Sequence, residues 1–115
     1  MSVRFKNQRI LHNLLDHPVH PTMTDVLYWF SKRFYDVVIT SAYREGDTGI
    51  HGYLPLRAVD VRSTIYSNPA LVAEETNRYW DYDPKRPGRY QVAFLHDVGR
   101  GIHLHLQVHP RTVRR

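Results

Sequence analysis

The chain of 115 residues is long enough for one hydrophobic core and too short for two, so we expect a single domain over residues 1–115. Hydrophobic residues make up 42% and charged residues 23% of it, a globular rather than a disordered composition. It has no cysteine, which excludes disulfides and thiolate metal sites, and its net charge of +5 favours polyanionic partners without selecting one.

The N-terminal part of the chain carries two predicted helices. Residues 7–15 have an apolar stripe at helical spacing, and the prolines of HPVHP (17–21) end that helix. A second helix is predicted over 22–34, where Thr22 or Thr24 is placed to cap the first turn. The N-terminus has no apolar stretch long enough for a signal peptide or a membrane span, so we expect cytoplasmic synthesis without a signal peptide.

The rest of the chain predicts mostly strands. We predict, in chain order, two strands, a helix and two further strands over residues 37–44, 58–63, 69–80, 90–97 and 101–109. Asn68 and Pro69 supply the cap and the first-turn proline of the helix. A short VGR turn joins the last two strands as an antiparallel hairpin. This order indicates an α+β domain with an antiparallel sheet and helices packed on one side.

The last predicted strand, GIHLHLQVH, places its histidines on one face. Alternation puts aliphatic residues on one side and His103, His105, Gln107 and His109 on the other. The histidines are either a solvated face or a set that converges on a metal ion. Residues two apart on a strand are separated by about 7 Å, so both His103 and His105 are within reach of one ion.

Two upstream residues have the chemistry to complete such a metal site. His51 lies in a glycine-flanked loop, and Asp60 lies between two valines of a predicted strand, pointing away from the face that they bury. A carboxylate in that position needs a partner, and Arg57 and Arg62 are the candidates for an ordinary ion pair. With no cysteine available, one Asp and two His residues make a three-ligand zinc site that keeps a position for water.

The stretch SAYREGDTGIHGYLPLRAVDVRS and the later HLHLQV follow a known pattern. It consists of a strand ending in S-x-Y-R, a loop His, an Asp in a V-D-V-like strand, and a last strand with H-x-H or W-H. The pattern resembles the zinc peptidases that cleave bacterial cell-wall peptides, a family that includes D-Ala-D-Ala carboxypeptidases and dipeptidases, phage endolysin endopeptidases and the related hedgehog signalling domain. The resemblance covers residues 39–109 and is closest to compact phage-borne members. It implies a hedgehog-type fold, a phage or prophage origin and action on the cell wall.

The resemblance also implies a role for each candidate residue. His51, Asp60 and His105 match the zinc ligands, with one ion per chain. His103 matches the first histidine of H-x-H, which implies a general base or a stabiliser of the transition state. Arg44, in SAYR, matches the arginine that holds a substrate carboxylate. The implied function is a zinc metallopeptidase acting on peptidoglycan stem peptides, either as a D-Ala-D-Ala carboxypeptidase or as an endolysin-type endopeptidase.

The chain departs from the family pattern in two places. The loop GYLPLRAV between His51 and Asp60 is longer than in much of the family. His103 stands where many relatives have a Glu or Asp as base. We expect the zinc ligands to be kept despite the longer loop.

Two other functions compete with hydrolysis of peptides. The first is a catalytically silent zinc-containing binding module of the same fold, as in the hedgehog relatives. The second is a metal-dependent DNA-nicking enzyme, in which a His-hydrophobic-His strand is followed by a nucleophilic tyrosine on a helix. No tyrosine follows His109 in this chain, so we expect a peptide substrate and no nucleic-acid partner.

Overall fold

The computed structural model describes residues 2–97, 99 and 101–115. Within these residues the helices are α1 (Gln8–Leu15), α2 (Pro21–Phe34) and α3 (Pro69–Tyr79). The strands are β1 (Ser2–Phe5), β2 (Asp36–Ser41), β3 (Ala58–Arg62), β4 (Trp80–Asp81), β5 (Ala93–Asp97), β6 (Ile102–Gln107) and β7 (Val113–Arg114). The predicted VGR turn includes Val98 and Arg100, which lie outside the described residues.

A five-stranded sheet forms the centre of the described structure, in the order β1-β2-β3-β6-β5. β1 pairs parallel with β2, and the other neighbouring strands are antiparallel. β5 and β6 pair antiparallel, as predicted for the last two strands, and β4 and β7 form a separate two-stranded ribbon. The predicted α+β class with an antiparallel sheet is therefore confirmed, with the addition of one parallel edge strand.

Alternation along β3 and β6 separates an apolar face from a polar face. The apolar face packs into the core, where the completely buried residues include Met23, Val26 and Phe30 of α2, Val59 and Val61 of β3, and Leu104 and Leu106 of β6. Since successive strand residues point to opposite sides, the residues between these aliphatics lie on the other face. Asp60 and His105 are among them, and both are also buried. His105 is therefore not on a solvated face, whereas His103 and His109 are partly exposed.

The helices begin where caps and prolines favour a helix start. α2 starts one residue before the prediction, with His20 rather than Thr22 or Thr24 as its cap, because His20 Nδ1 accepts the backbone N–H of Thr22 at 3.1 Å. Pro21 takes the first helical position, where no N–H is needed. Asn68 caps α3 as predicted.

The three helices lie differently against the sheet. α2 and α3 contribute to the core, as predicted for helices packed on one side. α1 packs Ile10 and Leu14 against the edge of this core and also borders a cleft on the polar face, which Ile10 and Asn13 line together with Thr40 and His103. None of the helices in the described part of the chain combines the length and apolar character needed to cross a bilayer.

Candidate metal centre

The middle of the polar face brings together His51, Asp60 and His105. Asp60 and His105 are cross-strand partners in the register of β3 and β6, so their side chains leave the sheet on the same side. His51 comes from a short 3-10 turn, Ile50–Gly52. All three side chains are buried, and one potential ligand atom from each lies within 4.8 Å of the other two. These are the three residues that the resemblance to the zinc peptidases implied as metal ligands.

A close backbone approach explains the glycine that follows His51. A Cβ atom at position 52 would lie 1.9 Å from the carbonyl oxygen of Asp47, so any side chain there displaces the turn. The turn is also tied to the end of β2, since the backbone N–H of Arg44 donates to the carbonyl of His51 at 2.9 Å. Gly52 therefore permits the turn that presents His51 to the sheet.

Leu56 anchors the long loop between His51 and Asp60. Its side chain is completely buried. Its backbone N–H donates to the carbonyl of Pro18 at 2.8 Å, and its carbonyl accepts the N–H of His20 at 2.9 Å. The residues before α2 thus hold the loop in place. His51 remains in contact with Asp60 although the loop between them is longer than in much of the family.

A backbone carbonyl determines which nitrogen of His51 faces Asp60. His51 Nδ1 lies 2.7 Å from the carbonyl oxygen of Ala42. A carbonyl oxygen only accepts, so Nδ1 carries the hydrogen and donates it. In the neutral ring, Nε2 is left with a lone pair that points towards Asp60.

Gln107 determines the orientation of His105 in the same way. The amide nitrogen of Gln107 donates to the carbonyl of Gln91 at 2.9 Å, which leaves its Oε1 facing His105 Nε2 at 3.1 Å. Oε1 accepts the hydrogen from Nε2, so Nδ1 of the neutral His105 ring has the lone pair. That atom lies 3.0 Å from Asp60 Oδ1.

Lone pairs on three atoms thus converge in the buried centre. His51 Nε2 lies 3.4 Å from Asp60 Oδ1, a contact between two acceptors, and within the described structure it has no hydrogen-bond partner. Leaving such a buried atom unsatisfied costs about 1–3 kcal/mol. Ligands about 2.0–2.1 Å from a tetrahedral zinc ion lie about 3.3 Å apart, close to the two contacts with Asp60. The His51, Asp60 and His105 side chains therefore fit a divalent cation.

Asp60 is held in its charged form. Burial by itself raises the pKa of Asp60. Hydrogen bonds from His105 and then His51, in the ring forms that carry a hydrogen on the nitrogen facing the carboxylate, outweigh burial and lower that pKa well below its usual range. Arg44 Nη2 donates to Asp60 Oδ2 at 2.8 Å, which leaves Oδ1 to the two histidines. The carboxylate is therefore ready to bind a cation without first losing a proton.

Arg44 is the ion-pair partner of Asp60 in this structure. Neither Arg57 nor Arg62, the candidates considered from the sequence, pairs with Asp60 among the described residues. The side chain of Arg44 is 42% exposed and lines the cleft, with Asp47 at 3.7 Å from Nη1. The predicted role of Arg44 with a substrate carboxylate remains a prediction, and its contact with Asp60 places it beside the centre.

His103 lies outside the ligand group, next to a bulge in β2. The register between β2 and β3 shifts between Ile39 and Ser41, so that Thr40 is an extra residue. Thr40 Oγ1 donates to the carbonyl of Asp60 at 3.3 Å, so it accepts from His103 Nδ1 at 3.4 Å. His103 Nδ1 then carries the hydrogen and Nε2 the lone pair, which suits a proton acceptor.

Three neighbours of the centre were not singled out from the sequence. They are Thr40, Gln107 and Phe94, whose ring lies 4.6 Å from the ring of His105. Gln107 shares the strand face of His105, so its position two residues further along was the available signal. Phe94 is the cross-strand partner of His105, a relation that only the register of β5 and β6 reveals.

A cleft of about 740 Å³ opens beside the centre. It is lined by the start of α1, the end of β2, and the side chains of Arg44, Asp60 and His103. No family model, curated protein or solved structure matches the chain. The function is therefore inferred from the centre and from this cleft.

Proposed function

We propose that the chain is a zinc-dependent peptidase that acts on peptidoglycan stem peptides and has the hedgehog-type fold of the cell-wall peptidases that its motifs resemble. The observation that carries the proposal is the convergence of lone pairs from His51, Asp60 and His105 beside an open cleft. Two imidazoles and one carboxylate are a donor set of catalytic zinc sites. Among the described residues no fourth His, Cys, Asp or Glu joins the group, whereas a structural site has four protein ligands.

The chain supplies both the ligands and the groups that orient them. His51, Asp60 and His105 would hold the ion, while the Ala42 carbonyl and the Gln107 amide fix the two rings. When bound, zinc lowers the pKa of a coordinated water towards neutrality and polarises a peptide carbonyl.

His103 is the residue that would move the proton. Its Nε2 accepts a proton from the attacking water and passes it to the leaving amine, so that one residue serves as base and then as acid. Thr40 is a positioning residue, since its hydroxyl holds His103 in the tautomer with a free Nε2. A neutral imidazole here performs the task that a carboxylate performs in many relatives.

Arg44 would hold the substrate in the cleft. Its Nη2 and Nε are used by Asp60 and Ser41, and the exposed remainder of the guanidinium can donate to a carboxylate of the stem peptide. Carboxypeptidase and endopeptidase modes share these residues. Cleavage of peptides extended beyond a terminal D-Ala distinguishes the two modes.

The test measures zinc content and hydrolysis on the same sample. The purified full chain, supplied with zinc, is incubated with a purified stem peptide with and without a chelator, and the new amine is detected by mass spectrometry. We expect stoichiometric zinc, hydrolysis that chelation abolishes, and recovery when zinc is returned. His51→Ala serves as the matched inactive control.

The same experiment separates the alternatives. Stoichiometric zinc with no cleavage of any stem peptide would assign the chain to the silent binding modules. Failure to bind zinc at all would reject the metal centre and with it the proposed function.

A further inference from the structure

A second pocket lies on the polar face at the other end of β6. The face runs from His103 in the cleft, through His105 in the metal centre, to Gln107, which holds His105 and also lines this pocket of about 330 Å³. His103 and Gln107 are about 13 Å apart along the strand. The cleft and the pocket therefore flank the metal centre on opposite sides.

Tyrosines and arginines dominate the lining of the pocket. The aromatic residues are Tyr53, Tyr82 and Tyr90. The guanidinium of Arg57 lies over the ring of Tyr53 at 4.9 Å, and that of Arg86 lies over Tyr90 at 5.0 Å. The described lining includes no carboxylate, so the pocket offers hydrogen-bond donors and positive charge.

The positive charge of the pocket is incompletely neutralised by the protein. Within the described part of the chain Arg57 has no ion-pair partner, although its position over Tyr53 holds its guanidinium in place. Arg86 Nε donates to Asp83 at 2.7 Å, but the same carboxylate receives a bidentate pair from Arg111. Asp83 therefore offsets only part of the charge of two arginines, and Arg57 adds to the excess.

His109 adds a neutral donor to this lining. Its Nδ1 accepts the backbone N–H of Arg111 at 3.0 Å, so Nε2 carries the hydrogen. Burial lowers the pKa of His109, and the charges of Arg111, Arg57 and Arg86 act in the same direction. The uncharged ring thus remains a donor at neutral pH.

We propose that this pocket binds the carboxylate-bearing side chain of an acidic residue of the peptide substrate, on the opposite side of the scissile bond from the part held by Arg44. The proposal rests on the proposed function, because it takes a peptide to lie across the metal centre. A planar guanidinium with free N–H groups matches a carboxylate, and the tyrosines of the lining carry hydroxyl groups that can also donate. An amide or a basic side chain would leave the cations of the pocket unpaired, so the pocket selects acidic peptides.

The first test measures binding without hydrolysis. The zinc-free full chain is titrated with N-acetyl-glutamate α-amide and with the uncharged N-acetyl-glutamine amide, and the His109 ring signals are followed by NMR. We expect the acidic probe to bind about tenfold or more tightly than the neutral one, because a site built for a charged partner rejects an analogue that leaves its donors unpaired.

Two glutamine variants assign the preference to the pocket. Arg57→Gln should abolish the preference for the acidic probe, and Arg57→Lys should keep part of it. Arg89→Gln is the matched control, because Arg89 contacts Tyr90 from outside the pocket lining and carries the same charge. Equal affinity for both probes in the parent chain, or an equal loss in Arg89→Gln, would overturn the proposal. Binding of inorganic phosphate as tightly as the acidic probe would also overturn it.

Hydrolysis gives a separate readout. On stem peptides with a free and an amidated acidic side chain, Arg57→Gln should raise KM for the acidic peptide towards that of the amidated one. Cleavage that never distinguishes the two peptides would reject the pocket while leaving the peptidase intact. Tight binding of the acidic probe without any cleavage would reject the peptidase while leaving the pocket intact.

Discussion

His103 and His105 share one strand face, yet the structure holds them by different groups. His105 is buried between Asp60 and Gln107: its Nε2 donates to Gln107 Oε1 at 3.1 Å, and its Nδ1 faces Asp60 Oδ1 at 3.0 Å. His103 is less buried and contacts the Thr40 hydroxyl at the edge of the cleft. One ring is therefore placed to bind a cation and the other to exchange a proton.

Replacing each histidine by alanine should separate these two roles. His105→Ala removes a ligand and should abolish stoichiometric zinc. His103→Ala should keep zinc but lower turnover of a stem peptide by about a hundredfold or more, the usual effect of removing a general base. Zinc analysis and kinetics on both variants check this. Zinc loss in His103→Ala with retention in His105→Ala would reverse the assignment.

Replacing Gln107 tests whether its side-chain amide orients the ring of His105. Gln107→Leu removes the acceptor for His105 Nε2–H without removing a ligand, so zinc affinity should fall by about 10–100-fold. Competition with a chromogenic chelator measures the change. Gln91→Leu is the control, because Gln91 holds Gln107 through its backbone carbonyl and that carbonyl is kept. Unchanged affinity in Gln107→Leu would mean that the amide does not orient the ring.

The residues of the centre show where sequence patterns succeed. Strand alternation places Asp60 opposite its flanking valines and groups His103 with His105, and both features hold in the structure. The ion-pair partner of Asp60 was not predictable from its sequence neighbours, because Arg44 lies just after the end of β2, a different strand. Which histidine meets Asp60 depends on the register of β3 and β6, and register is a property of the paired sheet.

Two helices each use an asparagine side chain to pair with a backbone peptide group, one just after β2 and one in β5. Asn13 of α1 donates to the carbonyl of Tyr43 at 3.1 Å and accepts its N–H at 2.9 Å. Asn77 of α3 makes the equivalent pair with Ala93, at 2.7 and 3.0 Å. Each amide satisfies a peptide group that the sheet leaves unpaired.

Alanine at Asn13 and at Asn77 should lower stability by similar amounts but differ in its effect on zinc binding. Asn13→Ala and Asn77→Ala each leave a partly buried peptide group without its partner, which should lower the free energy of unfolding by about 1–3 kcal/mol. Only Asn13→Ala should also weaken zinc binding, since Tyr43 lies between Ala42 and Arg44, which orient His51 and Asp60. Urea unfolding and zinc titration measure both. Equal zinc affinity in the two variants would contradict this coupling.

The elements that the sequence missed are short and lie at edges. β1, β4 and β7 carry 4, 2 and 2 residues, too few for a periodic pattern to emerge. β1 is defined by its parallel pairing with β2, and β4 and β7 by pairing with each other across the chain. The longer elements, such as α2 with its buried Met23, Val26 and Phe30, carry enough repeats to be predicted.

At the scale of the whole molecule, Asp83 joins the loop after β4 to the C-terminal segment. Its buried carboxylate receives Arg111 in a bidentate pair and Arg86 at 2.7 Å. The hydrogen bonds from Arg111 come first among the causes that lower the pKa of Asp83, and they outweigh burial, which raises it. The pKa of this carboxyl group therefore lies well below its usual value of 3.8.

Asp83 should make the folded chain sensitive to acid. A carboxyl group with a lower pKa in the folded state stabilises the fold above its unfolded pKa, and that contribution is lost as pH falls below about 4. Asp83→Asn should be less stable at neutral pH and should show a smaller further loss between pH 5 and 2. Thermal unfolding across this range checks the slope, with the exposed Asp25→Asn as control. An unchanged slope in Asp83→Asn would show that Asp83 does not govern acid unfolding.

The pairing of Asp60 with His105 has a consequence for the lifetime of the protein. These residues are 45 positions apart in the chain and meet only when β3 and β6 are paired. A zinc ion held by both residues would join the two strands, and at a free concentration a hundredfold above its Kd it would add about 2.7 kcal/mol to the stability of the native state. Chains without the ion would open locally more often and expose these strands to proteases. The abundance of the protein in a cell would then follow the supply of free zinc.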